Sequence, residues 1–403
     1  MKIAMINAWG IGSTGHIMLG CAKAATERGN EVHVFSKAWI RQNYDTIPNY
    51  HVIGEYFWNR VHIKLAKYTG LHGCFSVFST LKLVRELDEI KPDVIHLHNL
   101  HGWFVNLPIL FSYIKKNRIQ IVWTLHDCWA FTGHCPHFEM EKCSKWKTGC
   151  SSCPRYKEYP ASNVDRSQFL WKKKRKWFTG LSRAVIVTPS KWLAYLVEQS
   201  YLKEYPVKVI NNGIDHSIFY PQESEFRDKY GIHEKYVILG VAFDWGFKKG
   251  LNIFIDLRKR LDERYAIVIV GADETIERQL DPGFVVIHRT ANKKELAQIY
   301  SAADVFVNPT REDTFPTVNI EALACGTPVI TFPTGGSPEI IDSTCGIVTK
   351  DQTVNSMMES ILQIQQEKEH YTETMCCQRA KQFDQNACYE SYAALYEEEI
   401  KNG

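Results

Sequence analysis

Two carboxylates separated by seven residues stand out in the segment Asn308–Glu339: Asp313, in a loop after a predicted strand, and Glu321, on the predicted helix that follows. Between them Phe315, Pro316, Thr317 and Val318 form the start of that helix, where backbone N–H groups without intrahelical partners and the helix dipole favour an anion. Carboxylates flanking such a site accept hydrogen bonds from hydroxyls, so the arrangement suits a sugar nucleotide with its diphosphate at the helix end. The spacing alone favours an ordinary exposed loop followed by a core-facing helix, with Glu321 in solvent. A second loop, Trp9 to His16, carries Gly10, Gly12 and Gly15 between a predicted strand and a predicted helix. Glycines let backbone approach a ligand closely, but the spacing departs from the dinucleotide fingerprint, and Glu31 follows Gly15 by only sixteen residues. The loop reads either as a tight turn or as a phosphate or substrate loop, and it does not indicate a dehydrogenase.

Twelve cysteines are present, and five of them (Cys128, Cys135, Cys143, Cys150, Cys153) fall within 26 residues. The opening residues MKIAMINAWG read as a first strand rather than an export signal, so the scattered cysteines are expected as reduced core side chains. Cys150 and Cys153 have the spacing of one side of a tetrahedral metal site, which Cys135 and Cys143 could complete, with His134 and His137 in reach. Structural zinc, reduced thiols and a disulfide all remain open. Because the cluster follows the His126-Asp127 strand, its loop is expected to border a ligand cleft and shape an acceptor site. Further on, Trp171-Lys172-Lys173-Lys174-Arg175-Lys176-Trp177-Phe178 sets five cations between aromatics. A helix of that content suits an anionic bilayer with its aromatics at headgroup level; a solvated face and a nucleic-acid patch are the other readings.

These residues need a scaffold, and the hydrophobic pattern supplies one. Short Val- and Ile-rich runs alternate with amphipathic stretches, as in parallel sheets covered by helices. Strands are predicted at Lys2–Asn7, Glu31–Ser36, Asp93–His98, Gln120–His126 and Ala184–Pro189. A second series follows at Tyr236–Ala242, Tyr265–Ala272, Phe284–His288, Val305–Pro309 and Pro328–Phe332. Helical spacing marks Gly15–Arg28, Phe75–Ile90, Leu251–Leu261, Lys293–Ser301, Val318–Cys325 and Asn386–Lys401. The α/β reading is therefore two doubly wound domains, 1–212 and 213–384, with a C-terminal helix, 385–403, packing back on the first. The 403 residues are 45% hydrophobic and 23% charged, which excludes disorder, collagen and coiled coil for the whole chain. Lys plus Arg total 48 against 45 acidic residues, a net +3 that predicts no general affinity for nucleic acid. The longest apolar stretch, Phe104 to Ile114, falls short of the roughly 20 residues that span a bilayer.

Taken together, the motifs resemble those of the retaining, nucleotide-sugar-dependent glycosyltransferases of family 4. The resemblance rests on Asp313, Glu321 and Ala322–Pro328, on Gly335-Gly336-Ser337-Pro338-Glu339, on Asn212-Gly213-Ile214-Asp215 and on Lys249-Gly250. It extends to Thr124-Leu125-His126-Asp127 and to the glycine loop, so it covers nearly the whole chain in the expected order. It implies a GT-B fold, two Rossmann-like domains facing a central cleft. It also implies roles. Lys249, with Lys248 beside it, holds the donor diphosphate at the helix start formed by Phe315, Pro316, Thr317 and Val318. Glu321 grips the ribose hydroxyls, Asp313 sits by the transferred sugar, His126 contacts that sugar, and Gly12 and Gly15 lie close to donor phosphate or acceptor.

The implied donor is a nucleoside-diphosphate sugar (UDP or GDP), and the implied acceptor is a saccharide or polyprenyl-linked saccharide. No cofactor and no catalytic metal are implied, in keeping with a sequence that lacks the Asp-x-Asp motif of metal-dependent glycosyltransferases. The implied setting is bacterial surface-polysaccharide assembly (capsule, exopolysaccharide or O-antigen), in the cytoplasm or peripherally on the inner face of the plasma membrane. Two departures stand out. Asp313 and Thr-Phe-Pro-Thr-Val replace the family's usual Glu and Gly-Phe-Gly-Leu-Pro, and Phe243 occupies a position where many members carry Arg. A non-hydrolysing sugar-nucleotide epimerase and a non-catalytic partner subunit are the alternative readings.

Overall fold

Burial on both faces of a strand demands an apolar residue at almost every position, and the chain meets that demand twice. In a computed structural model that describes residues 1–37 and 47–401, the first sheet contains β1 (Lys2–Asn7), β2 (Glu31–Lys37), β3 (Tyr50–Ile53), β4 (Val94–Leu97), β5 (Gln120–Thr124), β6 (Ala184–Thr188) and β7 (Val207–Val209). Its order is β3-β2-β1-β4-β5-β6-β7, every pair parallel. Along β1 the side chains alternate between two cores. Ile3 and Met5 meet Met18, Cys21 and Ala25 of helix Gly12–Glu27, while Ala4 and Ile6 join Phe104, Leu110 and Trp123 on the other face.

The second sheet contains β8 (Tyr236–Val241), β9 (Tyr265–Val270), β10 (Phe284–Ile287), β11 (Val305–Asn308), β12 (Val329–Thr331) and β13 (Gly346–Val348), in the order β10-β9-β8-β11-β12-β13. It too is parallel throughout, and β9 divides its residues between two cores in the same way. One structural unit comprises Met1–Ile210 with Cys388–Gly403, the other Asn211–Ala387. Three strands, β3, β7 and β13, were not legible as periodic runs. Each is an edge strand of three or four residues, paired on one side only, so little apolar pattern is needed to hold it.

Helix Gln385–Lys401 lies on the first unit. Tyr392 and Tyr396 are fully buried in its core. Thr124 Oγ1 donates to the Tyr392 hydroxyl (3.2 Å), and the Tyr396 hydroxyl lies 2.7 Å from His96 Nδ1. Arg28 anchors the outer face through Glu390 (2.9 Å) and Glu397 (3.2 Å).

The cationic run corrects an expectation. In helix Ser167–Phe178 the buried stripe is Ser167, Leu170, Trp171, Lys174 and Phe178, so two of the three aromatics expected at a headgroup level, Trp171 and Phe178, face the core instead, and Trp177 is half-buried. Lys174 is wholly buried, its ammonium donating to the Trp129 carbonyl and lying 3.5 Å from the Trp129 ring centroid. Burial pushes its pKa down to about 7.

Tyr392→Ala is expected to cost about 3–5 kcal/mol through the cavity it leaves, measured by urea unfolding. A loss under about 1 kcal/mol would show that the helix contributes little to this core.

Candidate active site

Strands β8 and β11 are neighbours at the point where the order of the second sheet reverses, the place where open parallel sheets bind ligands beyond their strand ends. The loops leaving these strands carry most of the expected donor-side residues. They lie against each other because position 250 is glycine. Gly250 has φ 75° and caps helix Leu251–Arg258, and a Cβ there would come within 2.4 Å of the Pro309 carbonyl oxygen. The Arg311 N–H donates to the Lys248 carbonyl (2.9 Å), continuing the contact.

Two lysine–carboxylate pairs follow from this apposition. Lys249 Nζ is 2.9 Å from Asp313 Oδ2, and Lys248 Nζ is 3.4 Å from Oε2 of the buried Glu312. Asp313 is oriented through its other oxygen, which accepts the Phe315 N–H at 3.2 Å. Phe315 itself is a core residue packed on Phe383, so only its backbone belongs to the site. Pro316 caps helix Thr317–Ala324 without a side-chain hydrogen bond, and the first N–H groups of that helix are those of Thr317 and Val318.

Glu321 lies one turn beyond Thr317 and accepts the Tyr300 hydroxyl at 3.2 Å. Burial pushes its pKa up to about 7, against the opposing hydrogen bonds of Tyr300 and Thr317 and the charge of Lys293. Sequence reasoning missed two members of this group, Glu312 and Arg311. The Arg311 guanidinium donates to the Phe247 carbonyl (2.6 Å) and to Asn252 Oδ1 (3.1 Å), and it stacks on the Phe247 ring at 4.0 Å. Phe243, where an arginine was expected, is fully exposed, so Arg311 is the guanidinium beside the Lys248–Lys249 loop. The signal for Arg311 and Glu312 was their place immediately before Asp313.

In the first unit the order reverses between β1 and β4. Asn7 pins the two following loops: its amide donates to the Trp9 carbonyl (2.9 Å) and to Thr14 (3.2 Å), and its Oδ1 accepts the Asn99 N–H (3.2 Å). A Cβ at Gly15 would come within 2.6 Å of the Gly10 backbone, so Gly15 permits the fold of the loop, and Gly12 opens a helix whose start has no side-chain cap. Lys37, at the end of β2, lies 3.3 Å from the Trp9 ring centroid and donates to the Gly102 carbonyl at 3.3 Å. Burial lowers it to about 8.

Strands β4 and β5 stop at Leu97 and Thr124, shorter than expected, which leaves His98 and His126 just beyond their ends. His98 Nδ1 is 3.0 Å from His126 Nε2, and the rings stack at 5.3 Å. Burial lowers His126 to about 4, so the ring is neutral at pH 7. Beside it Asp127, the last residue of the Thr124-Leu125-His126-Asp127 motif, begins a chain whose other members no motif indicated. Asp127 Oδ2 lies 2.9 Å from His101 Nε2, and His101 Nδ1 lies 2.9 Å from the Tyr159 hydroxyl. Burial pushes the Asp127 carboxyl up, but His101 and the Trp129 N–H outweigh it and hold it at about 2.

The four cysteines considered as zinc ligands, Cys135, Cys143, Cys150 and Cys153, line one small cavity with Phe138 and Trp146. All are free thiols, and the Gly133 N–H donates to Cys150 Sγ at 3.2 Å. Among the described residues no three His, Cys, Asp or Glu side chains are arranged to hold a metal ion.

Residues 16–218 match the family model described as Glycosyltransferase Family 4, and residues 235–367 match that described as Glycosyl transferases group 1. A glycosyl transferase named for colanic acid biosynthesis, WcaC of Escherichia coli strain K12, is 27% identical over 281 residues, 66% of this chain and 66% of that protein. Across the first such relatives the chain spans between 46% and 66% of their own length. Sucrose-phosphate synthase from Thermosynechococcus elongatus superposes with a TM-score of 0.73 at 18% identity, covering 100% of both chains. Anabaena Alr3699/HepE in complex with UDP gives 0.69 at 17% identity, covering 99% of this chain and 100% of that one. These structures share the GT-B fold of two parallel-sheet Rossmann-like domains.

The raised Glu321 makes a signed prediction. The folded chain keeps this proton up to about pH 7, while the unfolded chain releases it near 4.5. The associated stability is fully present below the lower value and is lost as pH rises through the upper one. Glu321→Gln is permanently neutral, so it should be more stable than the parent by roughly 1 to 3 kcal/mol at pH 8 and indistinguishable at pH 4.5. Urea titrations at both pH values check this, and equal stability at pH 8 would refute the raised Glu321 carboxyl.

Proposed function

The chain belongs to glycosyltransferase family 4, and from that premise we propose that it moves a sugar from a nucleoside diphosphate, UDP or GDP, to a hydroxyl of a saccharide or lipid-linked saccharide. The proposed setting is cell-surface polysaccharide synthesis on the cytoplasmic side of the membrane, in line with the relative named for colanic acid. The observation that carries the reading is the Lys249–Asp313 pair, 2.9 Å apart, at the switch point of the second sheet and beside an uncapped helix start.

In this reading the diphosphate competes with Asp313 for the Lys249 ammonium and takes the N–H groups of Thr317 and Val318. Lys248 adds charge at the outer edge, and Glu321, as carboxylate, accepts the ribose hydroxyls. Asp313, released from Lys249, turns to the hydroxyls of the transferred sugar. The bond from the anomeric carbon to the β-phosphate oxygen breaks, and negative charge grows on that oxygen next to Lys249. The acceptor hydroxyl attacks the same face and gives its proton to the departing phosphate, so configuration is retained and no protein nucleophile is needed. Positioning and fixed charge supply the catalysis. His126, neutral at pH 7, is the hydrogen-bonding group we assign to the sugar in the first unit.

The test is transfer from UDP- and GDP-hexoses to a saccharide acceptor, with the anomer of the product read by NMR. Lys249→Ala is expected to lose about 10²- to 10³-fold in rate with its circular dichroism unchanged, the scale seen when one charge-stabilising donor is removed. Wild-type rates in that variant would overturn the site. Conversion of the donor without any acceptor would point to an epimerase instead.

A further inference from the structure

Helix Tyr56–Thr69 is built inside out. Its buried residues are Asn59, His62 and Ala66, whereas Phe57 (64% exposed), Trp58 (56%), Leu65 (42%) and Tyr68 (67%) face outward. At about 100° per residue these four side chains fall on one continuous face, with the exposed Arg60, Lys64 and Lys67 along its edge. The helix contains no acidic residue, so its three cations are uncompensated within it.

The start of helix Val77–Ile90 also turns apolar side chains outward, with Phe78 86% exposed and Leu81 49%. The two helices meet there: His62 Nδ1 is 2.7 Å from Ser76 Oγ, and a Cβ at Gly54 would touch both Asn59 and Ser79. Nearby Lys82 and Arg85 are exposed, and Glu86 is occupied with Lys82 and His51.

Apolar and aromatic side chains turned to water, edged by cations that no acidic residue of the helix offsets, complement a surface that is anionic outside and apolar a few ångströms below. That is a phospholipid headgroup layer. We propose that the outer face of helix Tyr56–Thr69, together with Phe78 and Leu81, docks the first unit in the plane of an anionic bilayer. This stands apart from the donor site and requires no nucleotide. It is proposed in place of the Trp171–Phe178 helix as the membrane element, since Trp171 and Phe178 there are buried.

The experiment is co-sedimentation of the full chain, without nucleotide, with vesicles of phosphatidylcholine alone or with 30% phosphatidylglycerol. The full chain should pellet with the anionic vesicles and be released by high salt. Arg60→Gln/Lys64→Gln/Lys67→Gln should bind roughly a hundredfold more weakly. Phe57→Ser/Trp58→Ser/Phe78→Ser should also lose binding, and Lys172→Gln/Lys173→Gln/Lys176→Gln should not. All these side chains are exposed, and circular dichroism checks the fold of each variant.

Failure of the parent chain to pellet, or parent-like binding by the first two variants, would overturn the proposal. So would sedimentation showing a dimer that the Phe57/Trp58/Phe78 variant abolishes while vesicle binding persists, which would assign the face to a second copy. Sugar transfer to a soluble acceptor is scored separately, so either result leaves the donor-site reading to its own test.

Discussion

The Lys249–Asp313 pair joins residues 64 positions apart, and it exists because β8 and β11 run parallel as neighbours with their following loops at the same edge. Parallel strands need crossover connections, so each loop at this edge leads toward a helix, and helix starts gather where the strands end. Gly250 then decides how closely the two loops approach, because any side chain would strike the Pro309 carbonyl. Remove that close packing and the lysine loses its carboxylate, while the helix start at Thr317 loses the cations beside it. The arrangement concentrates positive charge, and Asp313 and Glu312 each pair with one of the lysines. In the proposed function a diphosphate displaces Asp313, since it engages lysine and backbone donors together.

The first unit solves a different problem. Its core holds His96, His98 and the Tyr392 and Tyr396 hydroxyls, groups that are costly to bury without partners. The C-terminal helix supplies partners for His96 from the far end of the chain. Beyond the strand ends the polar groups become accessible by degrees, from the buried His98 to the half-buried His126 and Asp127. The Asp127–His101–Tyr159 chain fixes the imidazole between an acceptor and a phenol, so its orientation is set before any ligand is present.

Central strands were legible because burial on both faces writes Val and Ile into consecutive positions, as in Tyr265–Val270. The edge strands β3, β7 and β13 were not, since one-sided pairing requires no such run and, unlike the edge strand β10 with its Phe-Val-Val-Ile, they carry none of comparable length. Around the site, Asp313, Glu321 and Lys249 could be named from motif order, and the structure brings Lys249 to Asp313. Arg311 and Glu312 stand just before Asp313, but their partners, like that of His101, come from other loops, and distance in sequence hides those pairings. The two cationic helices show the limit most plainly. Periodicity reports that a face is apolar but not which way it points, and Trp171 and Phe178 turn inward while Phe57 and Trp58 turn out.

In the proposed function Lys249 is the diphosphate's counter-charge and Asp313 the carboxylate that the diphosphate displaces. Calorimetric titration of UDP and of GDP into the parent chain, Lys249→Ala and Asp313→Asn tests that directly. One nucleotide should bind the parent chain, bind Lys249→Ala at least about tenfold more weakly, a difference of about 1.4 kcal/mol, and bind Asp313→Asn as tightly or more tightly. Equal affinity in the parent chain and Lys249→Ala, or no binding of either nucleotide, would contradict it.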